Sequence, residues 1–270
     1  MKIYIVGSSG FIGQNLAKRY SGEVVFEHKR YFNLLGKLDW FRPDVIINCA
    51  AEIYDHSKMY EVNVQLVKDC LEYCREFPNT QFIQLGSSSE YGAVDHPSHE
   101  HDPVQVENMY GGTKAAATLL CQAYAKQFNT DVQVIRPYSP FGPGERPHRL
   151  FPNLWRAFKL DQPMNLVQGV HDFCYIDDFV DAVDLIISND SRTPGEIINV
   201  SSGEQTTNAQ VLELFRSITG KQGAVTVDER FVTPPVWQAD ISHIKTKYNW
   251  SPKHSMVEGI TKFLEHANYE

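Results

Sequence analysis

The feature that most restricts the fold is at the amino end. An apolar run, Ile3–Val6, breaks into Gly7-Ser8-Ser9-Gly10-Phe11-Ile12-Gly13 and continues as a helical pattern. Glycines at this spacing permit a tight turn and close backbone approach to a pyrophosphate, while the opening helix offers free N–H groups and a partial positive charge. The loop by itself is weak evidence, since a structural turn also explains it. Its position gives it weight, because further short apolar runs follow at Val24–Phe26, Val45–Cys49, Phe82–Leu85 and Val132–Arg136, alternating with helical stretches such as Val62–Cys74. That βαβα order predicts an α/β chain with a doubly wound parallel sheet of the Rossmann type.

Composition supports a globular chain and narrows its partners. Of 270 residues, 33 are acidic and 25 basic, for a formal net charge of −8. An acidic balance argues against nucleic acid, whose backbone is held mainly by clustered Lys and Arg. Five cysteines with no Cys-x-x-Cys pair suggest neither a disulfide framework nor a zinc ribbon, so reduced thiols and a cytoplasmic location are expected. No leader-like segment or apolar stretch long enough for a membrane span is visible.

The end of the second run should choose the dinucleotide. Glu27 suits an unphosphorylated ribose, whereas Lys29 and Arg30 suit a 2′-phosphate. Two cations after one acid favour NADP over NAD, and Glu27 can reverse that preference. A second basic stretch, with Arg146, Arg149, Arg156 and Lys159 and no acid from 146 to 159, is the best local candidate for a phosphate-facing surface, although a solvated helix face fits the charges equally well.

Tyr110 and Lys114 are one helical turn apart and share a face. A nearby ammonium and an oxidised nicotinamide would both favour the phenolate of a tyrosine whose free pKa is near 10. Ser87, at the carboxyl end of the fourth apolar run, is placed to hydrogen-bond a reacting oxygen. Tyr-x-x-x-Lys is common by chance; a glycine loop, a strand-end serine and this pair in this order are not.

With these motifs in hand, the chain resembles the extended short-chain dehydrogenase/reductase family, the nucleotide-sugar epimerases, dehydratases and reductases. The resemblance spans GSSGFIG, VIINCAA, Asn63, SSSEYG, Tyr110-GGT-Lys114, IRPYSPFGPG, HDFCYIDDFVDAV, INVSSGE and ADISHIKTKYNWSPKHSMVEGI. It implies that residues 1–140 with 172–200 bind the dinucleotide, and that 141–171 with 201–270 form a small α/β substrate unit. Gly7, Ser9, Gly10, Phe11, Ile12, Gly13, Ala50 and Ala51 would then line the cofactor. Ser87 and Tyr110 would contact the reacting sugar oxygen, and Lys114 would bind the nicotinamide ribose and lower the tyrosine pKa. Ser88, Ser139, Arg146, Arg149, His171 and Arg230 would contact the nucleotide-diphosphate sugar. His171 replaces an arginine of the family's Arg-Asp-Phe motif, which would shift phosphate neutralisation to Arg146, Arg149 or Arg230.

Ser88-Ser89 stand where sugar dehydratases carry an Asp-Glu pair, which argues against elimination of water. GSSSEYG looks most like the GSSEEYG stretch of 4-ketoreductases acting on GDP-4-keto-6-deoxymannose. The expected reaction is therefore reduction of a carbon-4 ketone by NAD(P)H, with an NAD-dependent 4-epimerase as alternative and a non-catalytic NADP sensor as a third class. The cluster His96, His99, Glu100, His101 and Asp102 reads as a loop rather than a metal site. The apolar run Tyr110–Tyr124, with Val62–Cys74, predicts a homodimer through paired helices. At 270 residues the chain is short for the family, so a trimmed substrate unit and an open cleft are expected.

Overall fold

The structure, a computed structural model, describes all residues except 22–23, 29–32, 232–233 and 270; for residues 24–28, 229 and 231 only the backbone is described. The elements in chain order are β1 (Lys2–Val6), α1 (Phe11–Arg19), β2 (Val24–His28), α2 (Leu34–Phe41), β3 (Val45–Asn48), α3 (His56–Tyr60), α4 (Leu66–Glu76), β4 (Gln81–Leu85), α5 (Met109–Phe128) and β5 (Val132–Pro137). Then come β6 (Ser139–Phe141), α6 (Leu150–Lys159), β7 (Met164–Gln168), β8 (Val170–Tyr175), α7 (Ile176–Ser188), β9 (Glu196–Val200), β10 (Gln205–Thr207), α8 (Asn208–Thr219), β11 (Val225–Phe231), α9 (Ser242–Tyr248) and α10 (Met256–His266). A π-helical turn, Glu61–Gln65, joins α3 to α4.

The main sheet is parallel in the order β2-β1-β3-β4-β5-β9, with β1 at the point where the winding reverses. Successive strand residues face opposite ways, and here both faces are covered. Ile3, Ile5, Ile47, Ile83 and Ile135 pack with α7 residues Phe179, Val183 and Ile186. Tyr4, Val6, Ile46, Phe82 and Val134 pack with Leu38, Val67, Cys70, Leu71, Cys74 and Cys121 from α2, α4 and α5. Burying each such side chain contributes about 1.5–3 kcal/mol, which is why the strands read as continuous apolar runs.

Two smaller sheets, β10-β8-β6 and β11-β7, lie beyond the main one. Their aromatic core stacks Phe141 on Phe151 at 4.0 Å and sets Phe173, Tyr175 and Phe263 edge-on around them. Trp155, Phe158 and Trp250 are buried, as core packing requires. Asp172 pins this part together: its buried carboxylate accepts from the Ser201 and Ser202 hydroxyls and from the Ala239 N–H, at 2.6–2.9 Å. Ser255 and Glu258 cap α10 reciprocally, and Gly220 ends α8 at φ 66°. Pro152 lies in the first turn of α6, where proline is tolerated. None of the described helices is long and apolar enough to cross a membrane.

Candidate active site

The glycine loop leaves β1 at Gly7, whose φ of +79° suits glycine. A Cβ there would lie 2.7 Å from the Ala50 nitrogen, and one on Gly13 would collide with the Gly7 carbonyl oxygen. Both therefore pack loop against β3 and α1 against loop. The α1 N-cap, Gly10, makes no side-chain capping bond, so the first-turn N–H groups remain available to an anion. They open on a cavity of about 340 Å³ lined by Gly7, Ser9, Gly10, Phe11, Ala50 and Ala51, with Arg146 across from them. The Arg146 side chain carries no ion pair among the described residues. This cradle fits a dinucleotide pyrophosphate, and Arg146, expected at the substrate, borders the cofactor cavity as well as the cleft beside it.

The neighbouring cavity, about 390 Å³, brings Ser87, Ser88, Tyr110 and Lys114 together with Gly10, Phe11, Ile12 and Ala51. Local hydrogen bonding sets the serine. Ser87 caps the short 3₁₀ turn Ser88–Glu90, its Oγ accepting the Ser89 N–H at 3.1 Å while Glu90 Oε1 accepts the Ser87 N–H at 2.8 Å. Asn108 caps α5 by accepting the Gly111 N–H, and a Cβ on Gly111 would sit 2.5 Å from the Ser89 oxygen. The first turn of α5 is thus pressed against the serine turn, which carries Tyr110 to Ser87. Asn63 braces the other side: its Oδ1 accepts the Glu52 N–H, and its Nδ2 donates to the Glu52 carbonyl and to Thr113 Oγ1 on α5.

The electrostatics correct one expectation. Lys114 is buried and donates to the Leu85 carbonyl, and burial pulls its pKa down to about 8. Burial raises the Tyr110 pKa, with the Ser87 hydrogen bond and the Arg149 charge pulling the other way. The lowering by Lys114 that the resemblance implied is not what acts on the phenol here, because the ammonium is engaged at the end of β4. The phenol is protonated at neutral pH in this arrangement.

A third cavity, about 230 Å³, continues the cleft past Arg149 to Ser139, His171 and Asn208. Burial drives the His171 pKa down to about 4, so the ring is neutral; its Nδ1 lies 3.4 Å from Ser139 Oγ. Arg230 does not line any of these cavities: its side chain is 78% exposed and pairs with Asp228 on the same strand. Arg156 bonds Asn153 and the Pro147 carbonyl, and Lys159 borders a separate surface cavity, so only half of the basic stretch faces the cleft. Gly13 acts behind the loop. Lys29 and Arg30 lie outside the described residues, as does the Glu27 side chain. His96 pairs with Asp95 and Asp102, and Glu100 accepts the Asn199 N–H. Sequence reading missed Glu145, Asn208 and the bracing role of Asn63.

Fold and cleft together define a dinucleotide-dependent enzyme of the Rossmann class. The model of the NAD dependent epimerase/dehydratase family matches residues 3–201, and the chain belongs to that family. It is similar to the uncharacterized UDP-glucose epimerase YtcB of Bacillus subtilis, 25% identical over 318 positions covering 99% of this chain and 98% of the relative. It is also similar to the UDP-glucose 4-epimerase of Mycolicibacterium smegmatis, 25% identical over 313 positions and 98% of each chain. The crystal structure of UDP-glucuronic acid 4-epimerase from Bacillus cereus in complex with UDP-glucuronic acid and NAD shares the fold, with a TM-score of 0.89, 23% identity and 98% of each chain covered. The YtcB alignment runs over 318 positions against 270 residues here, so segments of that relative have no counterpart in this chain.

Proposed function

We propose that the protein epimerises a nucleotide-diphosphate hexose at carbon 4 with NAD as its cofactor. The observation that carries this reading is that Ser87, Tyr110 and Lys114 line the same cleft as the glycine loop. Bound NAD supplies a hydride acceptor that can return the hydride. The Tyr110 oxygen takes the proton of the carbon-4 hydroxyl and gives it back, Ser87 hydrogen-bonds the same sugar oxygen, and Lys114 holds the nicotinamide ribose. The first-turn N–H groups of α1 and the Arg146 guanidinium hold the pyrophosphate. Residues 141–171 and 201–270 hold the nucleotide.

Dehydration is disfavoured because the one acid of the SSSE stretch, Glu90, is committed to capping Ser87 and to Arg136. Reduction of a 4-keto sugar, the first expectation, rests on the GSSSEYG stretch alone, whereas the relatives reported above are named as epimerases; NAD is favoured over NADP because the similar UDP-glucuronic acid 4-epimerase was solved with NAD. The test is to extract the cofactor from purified protein and to offer UDP-glucose or UDP-galactose with none added. Retained NAD and conversion to the other epimer are expected. Stoichiometric consumption of NADPH with a 4-keto sugar would establish the reductase instead, and a protein that binds no dinucleotide would overturn both.

A homodimer through α4 and α5 is part of the proposal. On α5 Leu119 is 55% exposed, and on the adjoining α3 Tyr60 is 65% exposed, apolar surface that pairing would cover. Light scattering at micromolar concentration should give twice the chain mass; the mass of one chain would end this part of the reading.

A further inference from the structure

The three cavities of the cleft meet at Glu145. It lines the one over the glycine loop, the one with Ser87 and Tyr110, and the one with Ser139 and His171, yet it is only 6% exposed. One carboxylate oxygen accepts from Arg149 Nε at 3.2 Å, and the other is buried with no partner. The third cavity contributes a second acceptor in the same condition, Asn208 Oδ1. Buried acceptors without donors are rare in folded proteins, and two beside one cleft suit a ligand that brings donors.

Two cations border the cleft beside Glu145: Arg149, which pairs with it, and Arg146, which the reading above assigns to the pyrophosphate. From its own loop come Arg149, held to it through Nε at 3.2 Å with its side chain half exposed, His148, whose Nε2 meets the Tyr54 hydroxyl at 2.9 Å, and Arg146, which is shared with the glycine loop. From β8 comes the neutral His171, from α5 Tyr110, and from the carboxyl-terminal tail Tyr269.

We propose that Glu145 determines which sugar the cleft accepts, taking hydrogen bonds from hydroxyl or ammonium groups of a hexose and rejecting a sugar that carries a carboxylate. The inference rests on the nucleotide-sugar reading above. A hydroxyl supplies the donor that the unpartnered oxygen lacks. A carboxylate sets two like charges together in a poorly solvated cleft, where ionising both is disfavoured. Burial pushes the Glu145 carboxyl up to about 7, against the pull of Arg149. Below that pH Glu145 is protonated and tolerates a second carboxylate; above it the ionised form repels one. Discrimination therefore grows as pH rises through about 7.

The experiment compares kcat/KM for UDP-glucose with that for UDP-glucuronate below and above this pH, in wild-type protein and Glu145→Gln. Taking the ratio removes the ionisation of Tyr110, which both substrates share. Above the transition the wild-type ratio should favour UDP-glucose by roughly 10- to 100-fold, and Glu145→Gln should reduce it to near unity and abolish its pH dependence. An unchanged ratio in Glu145→Gln, or a wild-type preference for the glucuronate, overturns the inference. If Glu145→Gln does not fold, a pH-independent ratio in the wild-type protein overturns it equally. Turnover of neither sugar nucleotide overturns the functional reading, and Glu145's role with it.

Discussion

Tyr110→Phe should leave a folded protein that still carries its dinucleotide and has lost about 10²- to 10⁴-fold in kcat/KM, the range for removing a positioned acid–base group. The substitution deletes one hydroxyl and keeps the ring against Ser87 and the first turn of α5. Cofactor content after purification and turnover of the sugar nucleotide are the two readouts, and they should separate. The pH profile adds a third. Burial raises the phenol's pKa, so the phenolate that starts the oxidative half is scarce at neutral pH. Activity should rise with pH on the acid side, and the rise should vanish in Tyr110→Phe. Undiminished turnover in the variant would remove Tyr110 from the mechanism; cofactor binding with no turnover in the wild type would favour a sensor.

Glu90→Ala should cost about 3–5 kcal/mol of stability, the range for breaking a buried ion pair from one side, and lower Tm by roughly 10 °C. Arg136 and Glu90 are essentially without solvent contact, and the guanidinium donates through Nε and Nη2 to Glu90 Oε2 at 3.0 and 2.7 Å. Arg136 also lies over the Tyr91 ring at 4.4 Å, and its Nη1 already has no partner. Removing the carboxylate leaves a buried cation and frees the Ser87 N–H, so activity should fall along with Tm. Replacing both partners by apolar residues, Glu90→Leu with Arg136→Met, should recover most of the stability and little of the activity. A Glu90→Ala protein as stable as the wild type would show that Arg136 reaches solvent in its absence.

The fold was legible because each strand of the main sheet is buried on both faces and so reads as an unbroken apolar run, and because the glycines fall where loop, strand and helix touch. The smaller sheets were harder. Met164–Gln168 and Gln205–Thr207 are short and half-buried, so neither periodicity nor apolar content marks them. Ser87, Tyr110 and Lys114 could be placed in one cleft from their positions on a strand end and one helix face. The charges around residue 146 are less legible, because the acid-free stretch begins at Arg146 and an acid stands immediately before it. That acid, Glu145, turns out to be the residue all three cavities share. The expected lowering of the Tyr110 pKa needed the Lys114 side-chain direction, which spacing on a helix does not fix.

The π turn at Glu61–Gln65 has a consequence for how this family member can vary in length. A π turn is one residue inserted into an α-helix, and each residue turns a helix by about 100°. Removing that residue would restore regular geometry while swinging everything ahead of it around the axis, Asn63 and its hold on Glu52 and Thr113 included. Whatever segments this chain lacks beside its longer relatives, this helix has no slack: its count of residues is the phase setting that keeps Asn63 on both Glu52 and Thr113, and so keeps the segment after Ala51 in step with the helix bearing Tyr110 and Lys114.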